Sequence, residues 1–143
     1  MRVNQLSVFL ENKSGRLADV TRALAEANIN IRALSIADTI DYGLLRLIVN
    51  DPVAAKDALA RSGFTVALTD VLAIEVADRP GGLAKIIDIL ARSGINIEYM
   101  YAFVGRSGEH AIVVFRIERL DEATTILREK GVRILTGDEL HSL

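Results

Sequence analysis

The sequence repeats itself at a spacing of 66 residues. Between residues 12–36 and 78–102, 8 of 25 aligned positions are identical without a gap. In each copy a turn leads into a helical pattern, and an Asn between two isoleucines follows: Asn30 in the first copy and Asn96 in the second. A repeat at a fixed spacing indicates duplicated structural units. The chain is therefore expected to fold as two similar units.

The first copy has the pattern strand, helix, strand, strand, helix, strand. Apolar and polar residues alternate over residues 5–11, which predicts a strand buried on one face only, with Gln5 and Ser7 on the polar face. Asn28 can take the left-handed conformation that ends a helix, and Asp51 before a proline predicts the start of the second helix. The later strands are predicted at residues 29–37, 44–49 and 64–68.

The second copy has the same order of elements. Helices are predicted from Leu83 and from Asp121, and Gly105 to Gly108 is interpreted as a turn. His141 is placed in a C-terminal tail. Strands are predicted at residues 71–77, 95–104, 111–117 and 132–135.

This order predicts an α+β fold class. Local strand pairing and right-handed crossovers turn each βαββαβ copy into a ferredoxin-like unit, with an antiparallel sheet and both helices on one face. The chain is thus expected to hold two such units in tandem, in residues 1–69 and 70–143. No Gly/Ser-rich linker separates them.

The turn and the second-strand entry resemble the ACT family. Its recurrent feature is a (D/N)-x-P-G-x-L turn after the first strand, followed by (G/N)-(I/V)-(N/D)-(I/V) at the second strand. The second copy matches closely from Asp78 to Leu83 and again from Gly94, whereas the first copy departs at Ser14 and Arg16. The resemblance covers nearly the whole chain, as ACT domain 1 and ACT domain 2.

The resemblance implies a regulatory module that binds an amino acid at an interface between neighbouring units. It assigns the ligand contacts to the turn after the first strand and to the start of the second strand. In the first copy these residues are Asn12, Gly15, Arg16, Leu17 and Asn30. In the second copy they are Asp78, Gly81, Gly82, Leu83 and Asn96.

The chemistry of these residues fits a zwitterion. A carboxylate suits the backbone N–H groups of a helix N-terminus, and glycines at the turn allow it to approach closely. Asn30 and Asn96 offer amide groups, Asp78 can accept from an ammonium group, and Arg16 can add a charged contact to a carboxylate.

A structural interpretation of the same residues stays open. Asn12 and Asp78 could cap the helices that follow, the glycines could serve only the turn, and Asn30 and Asn96 could bond to local backbone groups. Met100 follows Asn96 on the second strand and is a core or interface residue under this interpretation. Under the functional one it lines a pocket with Leu17 and Leu83, which favours a hydrophobic or aromatic ligand side chain.

Composition excludes several other function classes. The formal net charge is −2 and the charges are well mixed, which gives no basis for a nucleic-acid or membrane partner. There is no cysteine, and the two histidines stand at no metal-ligand spacing, so neither a metal nor another cofactor is expected. No apolar run reaches the roughly 20 residues of a membrane span, and no signal segment begins the chain, so a cytoplasmic location is expected.

Two functional hypotheses remain at this point. The chain has no recognisable nucleophile–base pair, so we expect no catalysis. The first hypothesis is an allosteric amino-acid sensor, with homodimers formed through ACT–ACT packing. The second is the regulatory small subunit of an amino-acid biosynthetic enzyme such as acetolactate synthase, which the chain resembles in its ACT unit.

Overall fold

The computed structural model describes residues 2–38, 41–103 and 110–142. The chain divides into two compact units. The N-terminal unit is Asn4–Thr69, and the C-terminal unit runs from Asp70 onward and includes Arg2 and Val3. The predicted turn from Gly105 to Gly108 and the middle of the first hairpin lie outside the described residues.

The N-terminal unit has the six predicted elements. They are β1 (Val3–Glu11), α1 (Arg16–Glu26), β2 (Ile31–Asp38), β3 (Tyr42–Val49), α2 (Pro52–Arg61) and the first part of β4 (Thr65–Ala77). The strand order is β2-β3-β1-β4, and β3 pairs antiparallel with both β1 and β2. This is the order of a ferredoxin-like sheet.

The C-terminal unit repeats that arrangement and adds a short helix. After the second part of β4 come α3 (Gly82–Arg92), β5 (Ile97–Ala102), β6 (His110–Ile117), α4 (Leu120–Glu129), β7 (Ile134–Leu135) and α5 (Gly137–His141). β4 lies between β7 and β6, and β5 pairs with the other side of β6. The two ferredoxin-like units with antiparallel pairing confirm the predicted fold class.

Each unit buries its helices against one face of its strands. In the N-terminal unit the core joins residues of β1 and β3 to Val20 and Leu24 of α1 and to Leu59 of α2. In the C-terminal unit the equivalent core joins β4 and β6 to Leu90 of α3 and Leu127 of α4. Burial of these apolar side chains drives each unit to fold.

The predicted helix boundaries follow local backbone chemistry. Asn28 has φ 59°, the left-handed conformation predicted for it at the end of α1. Asp51 accepts a hydrogen bond from the Ala54 N–H at 3.1 Å and is followed by a proline, so α2 begins where predicted. Both are sequence signals that depend on one residue and its immediate neighbours.

The predicted break between the fourth and fifth strands is wrong. Residues 64–68 and 71–77 were expected to form separate strands, but β4 is one strand of 13 residues. Neither glycine nor proline stands between them, so nothing in the backbone forces a turn at Thr69 and Asp70.

The prediction of a strand buried on one face only is also wrong for β1. Gln5 and Ser7 are both buried. The Gln5 side-chain amide donates to the Ser7 hydroxyl at 3.2 Å, and the hydroxyls of Ser7 and Thr69 are 3.3 Å apart. Because the polar atoms bond to one another, polar residues can be buried on this face of β1.

The predicted C-terminal tail contains a helix. α5 begins with a capping box, in which the Thr136 hydroxyl accepts from the Glu139 N–H at 3.2 Å and Glu139 Oε1 accepts from the Thr136 N–H at 3.3 Å. Leu140 is fully buried. The spacing of Thr136 and Glu139 is itself a helix-start signal, so sequence reasoning could have found this element.

Ion pairs join Arg2 to the C-terminal unit. Its guanidinium is 3.0 Å from the Asp70 carboxylate and 2.7 Å from that of Asp121. The hydrogen bond and the positive charge of Arg2 hold the pKa of Asp121 below its ordinary value. Such a carboxylate stabilises the folded state above its unfolded pKa, and the contribution is lost as the pH falls through the folded pKa.

We therefore expect Arg2→Ala to lower stability at pH 6 and to have a smaller effect as the pH falls below about 4, the ordinary pKa of Asp. Urea unfolding of both proteins from pH 6 to pH 2.5 measures this difference. Asp121→Asn is the matched control, since it removes the titrating group and keeps the size of the side chain. A difference between wild type and Arg2→Ala that is constant over this range would contradict the prediction.

Candidate functional site

The turn of the first copy places a glycine at the start of α1. Gly15 is the N-cap residue with φ 90°, and no side chain caps the helix. Positive φ is a conformation that glycine adopts at little cost. Asn12 is exposed at the start of the turn, and its backbone N–H donates to the Asp41 carbonyl at 3.0 Å.

The turn of the second copy has the same design with a tighter approach. Gly81 is the N-cap of α3 with φ 86°, again without a side-chain cap. The next residue, Gly82, lies so close to the end of β4 that a Cβ atom there would overlap the carbonyl oxygen of Ala77. Gly82 is therefore required by the backbone of the turn, and Asp78 beside it is exposed.

Glycine, rather than Asn12 or Asp78, occupies the N-cap position of both helices. In contrast, Asp51 caps α2 and Thr136 caps α5. Gly15 and Gly81 supply no side-chain cap, and the first N–H group of each helix donates to a turn carbonyl, Arg16 to Lys13 at 3.4 Å and Gly82 to Arg79 at 3.0 Å. Such a helix start is suited to an external anion.

Arg16 is engaged within its own unit. Its guanidinium carbon lies 4.5 Å from the centre of the Phe64 ring, a cation–π distance. One of its nitrogens is 3.3 Å from the Asp19 carboxylate, and its side chain is 27% exposed. The charge predicted to meet a ligand carboxylate therefore already has an internal partner.

The amide side chains of Asn30 and Asn96 are exposed. In the first copy the local backbone contact is made by another residue, because the Asn30 backbone N–H donates to the side-chain oxygen of Asn50 at 3.0 Å. Within the part of the chain that the structure describes, neither Asn30 nor Asn96 uses its side-chain amide in a hydrogen bond. The alternative that these amides serve local backbone groups thus has no support in their contacts.

A single unit does not bring the two halves of the motif together. Glu11, which precedes the first turn, pairs with Tyr42, whereas Ile31, which follows Asn30, pairs with Val49. These partners are the two ends of β3, so the turn and the Asn are separated by roughly 23 Å at 3.3 Å per residue. The second copy has the same separation, because its turn and its Asn lie at opposite ends of β6.

The candidate apolar residues differ in exposure. Met100 on β5 is 40% exposed although it pairs with the buried Phe115, and Leu17 is 42% exposed. Leu83 is partly buried against its core. Leu34 on β2 is 42% exposed and was missed by sequence reasoning. The repeat spacing of 66 residues makes it the first-copy equivalent of Met100.

A shallow groove lies along α3 in the C-terminal unit. Its volume is about 620 Å³, and it begins at Gly81. Lys85, Asp88 and Arg92 line it from α3, and Lys130 lines it from the end of α4. Of the predicted site residues, Gly81 alone is among those lining it.

The described residues hold no cluster of three or more His, Asp or Glu side chains that could bind a metal ion. His110 has one acidic neighbour, with its Nδ1 atom 3.6 Å from Glu75. Among the helices in the described ranges, none has the length and apolar character to cross a bilayer.

The chain has two ferredoxin-like units in tandem, each with a glycine at the N-cap of its first helix. This is the arrangement of a tandem regulatory module. The chain belongs to the family of ACT domain pairs, whose model matches residues 1–143. This family is homologous to regulatory domains that bind amino acids, and its fold is generally non-catalytic. ACT domains also commonly pair with enzymes.

Solved structures show the same fold. A protein from Bacteroides thetaiotaomicron is 45% identical with a TM-score of 0.94, and the match covers 100% of this chain and 98% of that one. The ligand-free regulatory subunit of aspartate kinase from Thermus thermophilus is 20% identical with a TM-score of 0.65, over 88% and 90% of the two chains. Aspartate kinase from Synechocystis is 21% identical with a TM-score of 0.61, over 95% of this chain and 28% of that one. No curated protein sequence matches the chain significantly.

We expect Gly82→Ala to destabilise the protein by about 2 kcal/mol, the middle of the range for overpacking a tight site. The new Cβ atom must displace the backbone of Ala77, which cannot rotate away as a side chain would. Gly137→Ala is the control, since its Cβ atom would have no neighbour within 4 Å. Urea unfolding measures both, and equal stability of the two variants would show that the turn relaxes without cost.

Proposed function

We propose that this chain is a non-catalytic amino-acid sensor whose ligand binds where the turn of one ACT domain meets the second strand of a neighbouring one. The observation that carries the proposal is the pair of helix starts led by Gly15 and Gly81, neither of which has a side chain that caps its helix. The exposed amides of Asn30 and Asn96, repeated at the same position, are the second element.

The turn suits the carboxylate of the ligand. In each copy the first N–H groups of the helix point away from the helix body, and the helix dipole makes them favourable for a negative charge. Gly15 and Gly81 have no side chain that would block an approach to these groups. The exposed Asn12 and Asp78 at the turn are placed to accept from the ammonium group.

The Asn supports a site shared between neighbours. A free amino acid is much shorter than the roughly 23 Å that separates turn and Asn within a unit. The amide can therefore act on a ligand at a turn only if it comes from a different unit or chain. We propose that a second copy of the chain supplies it in a homodimer, and that the ligand stabilises this packing.

The exposed apolar residues support the same arrangement. Leu34 and Met100 occupy equivalent positions on β2 and β5, the outer strands of the two sheets, and about 40% of each side chain is exposed. With Leu17 they offer apolar surface to a neighbour or to the ligand's side chain. A hydrophobic or aromatic amino acid fits this surface best.

An allosteric effect follows from such a site. A ligand that contacts two neighbours binds one packing arrangement more tightly than others and shifts the population toward it. The ligand's binding energy is then converted into a change of association. A cytoplasmic protein of the chain's mixed charge, without nucleic-acid or membrane partners, fits this role.

The alternative is a regulatory subunit of an amino-acid biosynthetic enzyme. Aspartate kinase is a candidate partner beside acetolactate synthase, the enzyme suggested by the sequence, since its regulatory subunit from Thermus thermophilus has the same fold at 20% identity. Copurification from a native extract distinguishes the two hypotheses. A stoichiometric catalytic subunit supports the alternative, whereas recovery of the chain alone supports the sensor.

We expect at least one of the twenty standard amino acids to raise the melting temperature, since a ligand that binds only the folded state stabilises it. Asn96→Ala is then expected to weaken binding of that amino acid about tenfold, as measured by calorimetry, because one or two hydrogen bonds are lost. Asn28→Gly is the matched control, since glycine readily takes the left-handed conformation of Asn28. No thermal response to any amino acid would refute the sensor, and unchanged affinity of Asn96→Ala would remove that residue from the site.

A further inference from the structure

The groove along α3 is rich in positive charge. Lys85, Arg92 and Lys130 line it with a single acid, Asp88. Within the described ranges none of these four side chains is in an ion pair, so the cations are available to an external group. Gly81, which starts the uncapped helix, forms the end of the same groove. A carboxylate at this helix start lies next to Lys85 in the first turns of α3, whereas Arg92 stands in the last turn, roughly 16 Å further along the helix.

The corresponding positions of the first copy carry more negative than positive charge. The repeat spacing places Asp19, Arg22 and Glu26 at the positions of Lys85, Asp88 and Arg92. Ser62 at the end of α2 corresponds to Lys130 at the end of α4. Asp19 is in the first turn of α1 and forms ion pairs with Arg16 and Arg22, both at 3.3 Å. This helix start already has a carboxylate of its own, and that carboxylate takes up the two arginine charges that a ligand carboxylate would otherwise meet.

A side-chain contact joins the start of α1 to the end of α2. Arg16 stacks on Phe64, which follows the last turn of α2. In the second copy the equivalent residues are Gly82 and Val132, which cannot make this contact. The start of the helix is therefore covered by the Arg16 side chain in the first copy and by no side chain at the equivalent Gly82 in the second.

We propose that the two ACT domains are unequal: the second takes the amino acid, with Lys85 holding its carboxylate, and the first is closed by Arg16 and Asp19. This inference rests on the proposed function and assigns its site to one copy. One chain then binds one amino acid rather than two.

Backbone amide shifts locate the binding. The probe is whichever of the twenty standard amino acids gives the largest thermal shift with wild-type protein. On titration, the amide signals of Leu83 and Ala84 are expected to move, and those of Leu17 and Ala18 to stay. Movement of both pairs at the same concentration, or of the first-copy pair alone, would overturn the inference while leaving the sensor function intact. If no amino acid binds, the proposed function itself fails.

Charge reversal tests Lys85. Lys85→Asp gives the second copy the residue of the first and is expected to weaken binding at least tenfold in calorimetry. Lys56→Asp makes the same charge change at an exposed position of α2 outside the groove. Its affinity is expected to stay within twofold of wild type. If both variants lost affinity equally, the cause would be the change in net charge, and the proposed role of Lys85 would be overturned.

The reverse exchange tests the closed copy. The double variant Arg16→Gly and Asp19→Lys transplants the residues of the second copy into the first. We expect calorimetric stoichiometry to rise from one to two amino acids per chain, with new shifts at Leu17 and Ala18. A folded double variant, verified by circular dichroism, that still binds one would show that these two residues do not close the site. Loss of all binding would place the ligand at Arg16 and would also overturn the inference.

Discussion

The left-handed glycine between the first strand and the first helix of each unit is the constraint on which the rest depends. At φ near 90° Gly15 and Gly81 turn the chain back over the sheet within a few residues, so that α1 and α3 can pack on the strands that precede them. The same geometry puts a residue without a side chain at the N-cap, so the helix start has no side-chain cap from that residue. The same two glycines therefore allow the helices to pack on the sheet and leave the helix starts accessible to a ligand.

Much of the fold could be predicted because its signals are local. Asn28, Asp51 and the repeated turns each set a boundary through their own backbone or side-chain chemistry. The sequence did not reveal that β4 is continuous, since a strand of this length differs from two short ones only by the absence of a break. It also misassigned Gln5 and Ser7, because their burial depends on partners that become close only after folding.

The candidate site was predicted residue by residue, but its geometry could not be. The repeat identified Asn30 and Asn96, yet nothing in their spacing indicated that α1 and α3 carry them to the far end of the unit. Arg16 has the right charge for a carboxylate, and only the fold shows that Phe64 and Asp19 already engage it. Lys85 lies one helical turn beyond the shared motif, at a position where the first copy has Asp19, so the repeat itself does not mark it. Differences between the copies were more informative here than their identities.

The continuity of β4 has a consequence for how the chain can be divided. Its 13 residues serve as the last strand of one unit and the first strand of the next, and the boundary falls within it. A cut at Thr69 leaves each fragment with a newly charged terminus where a peptide bond had been, at a place with no loop to absorb it. Because the strand is shared, neither unit can be excised at a loop with all of its strands intact.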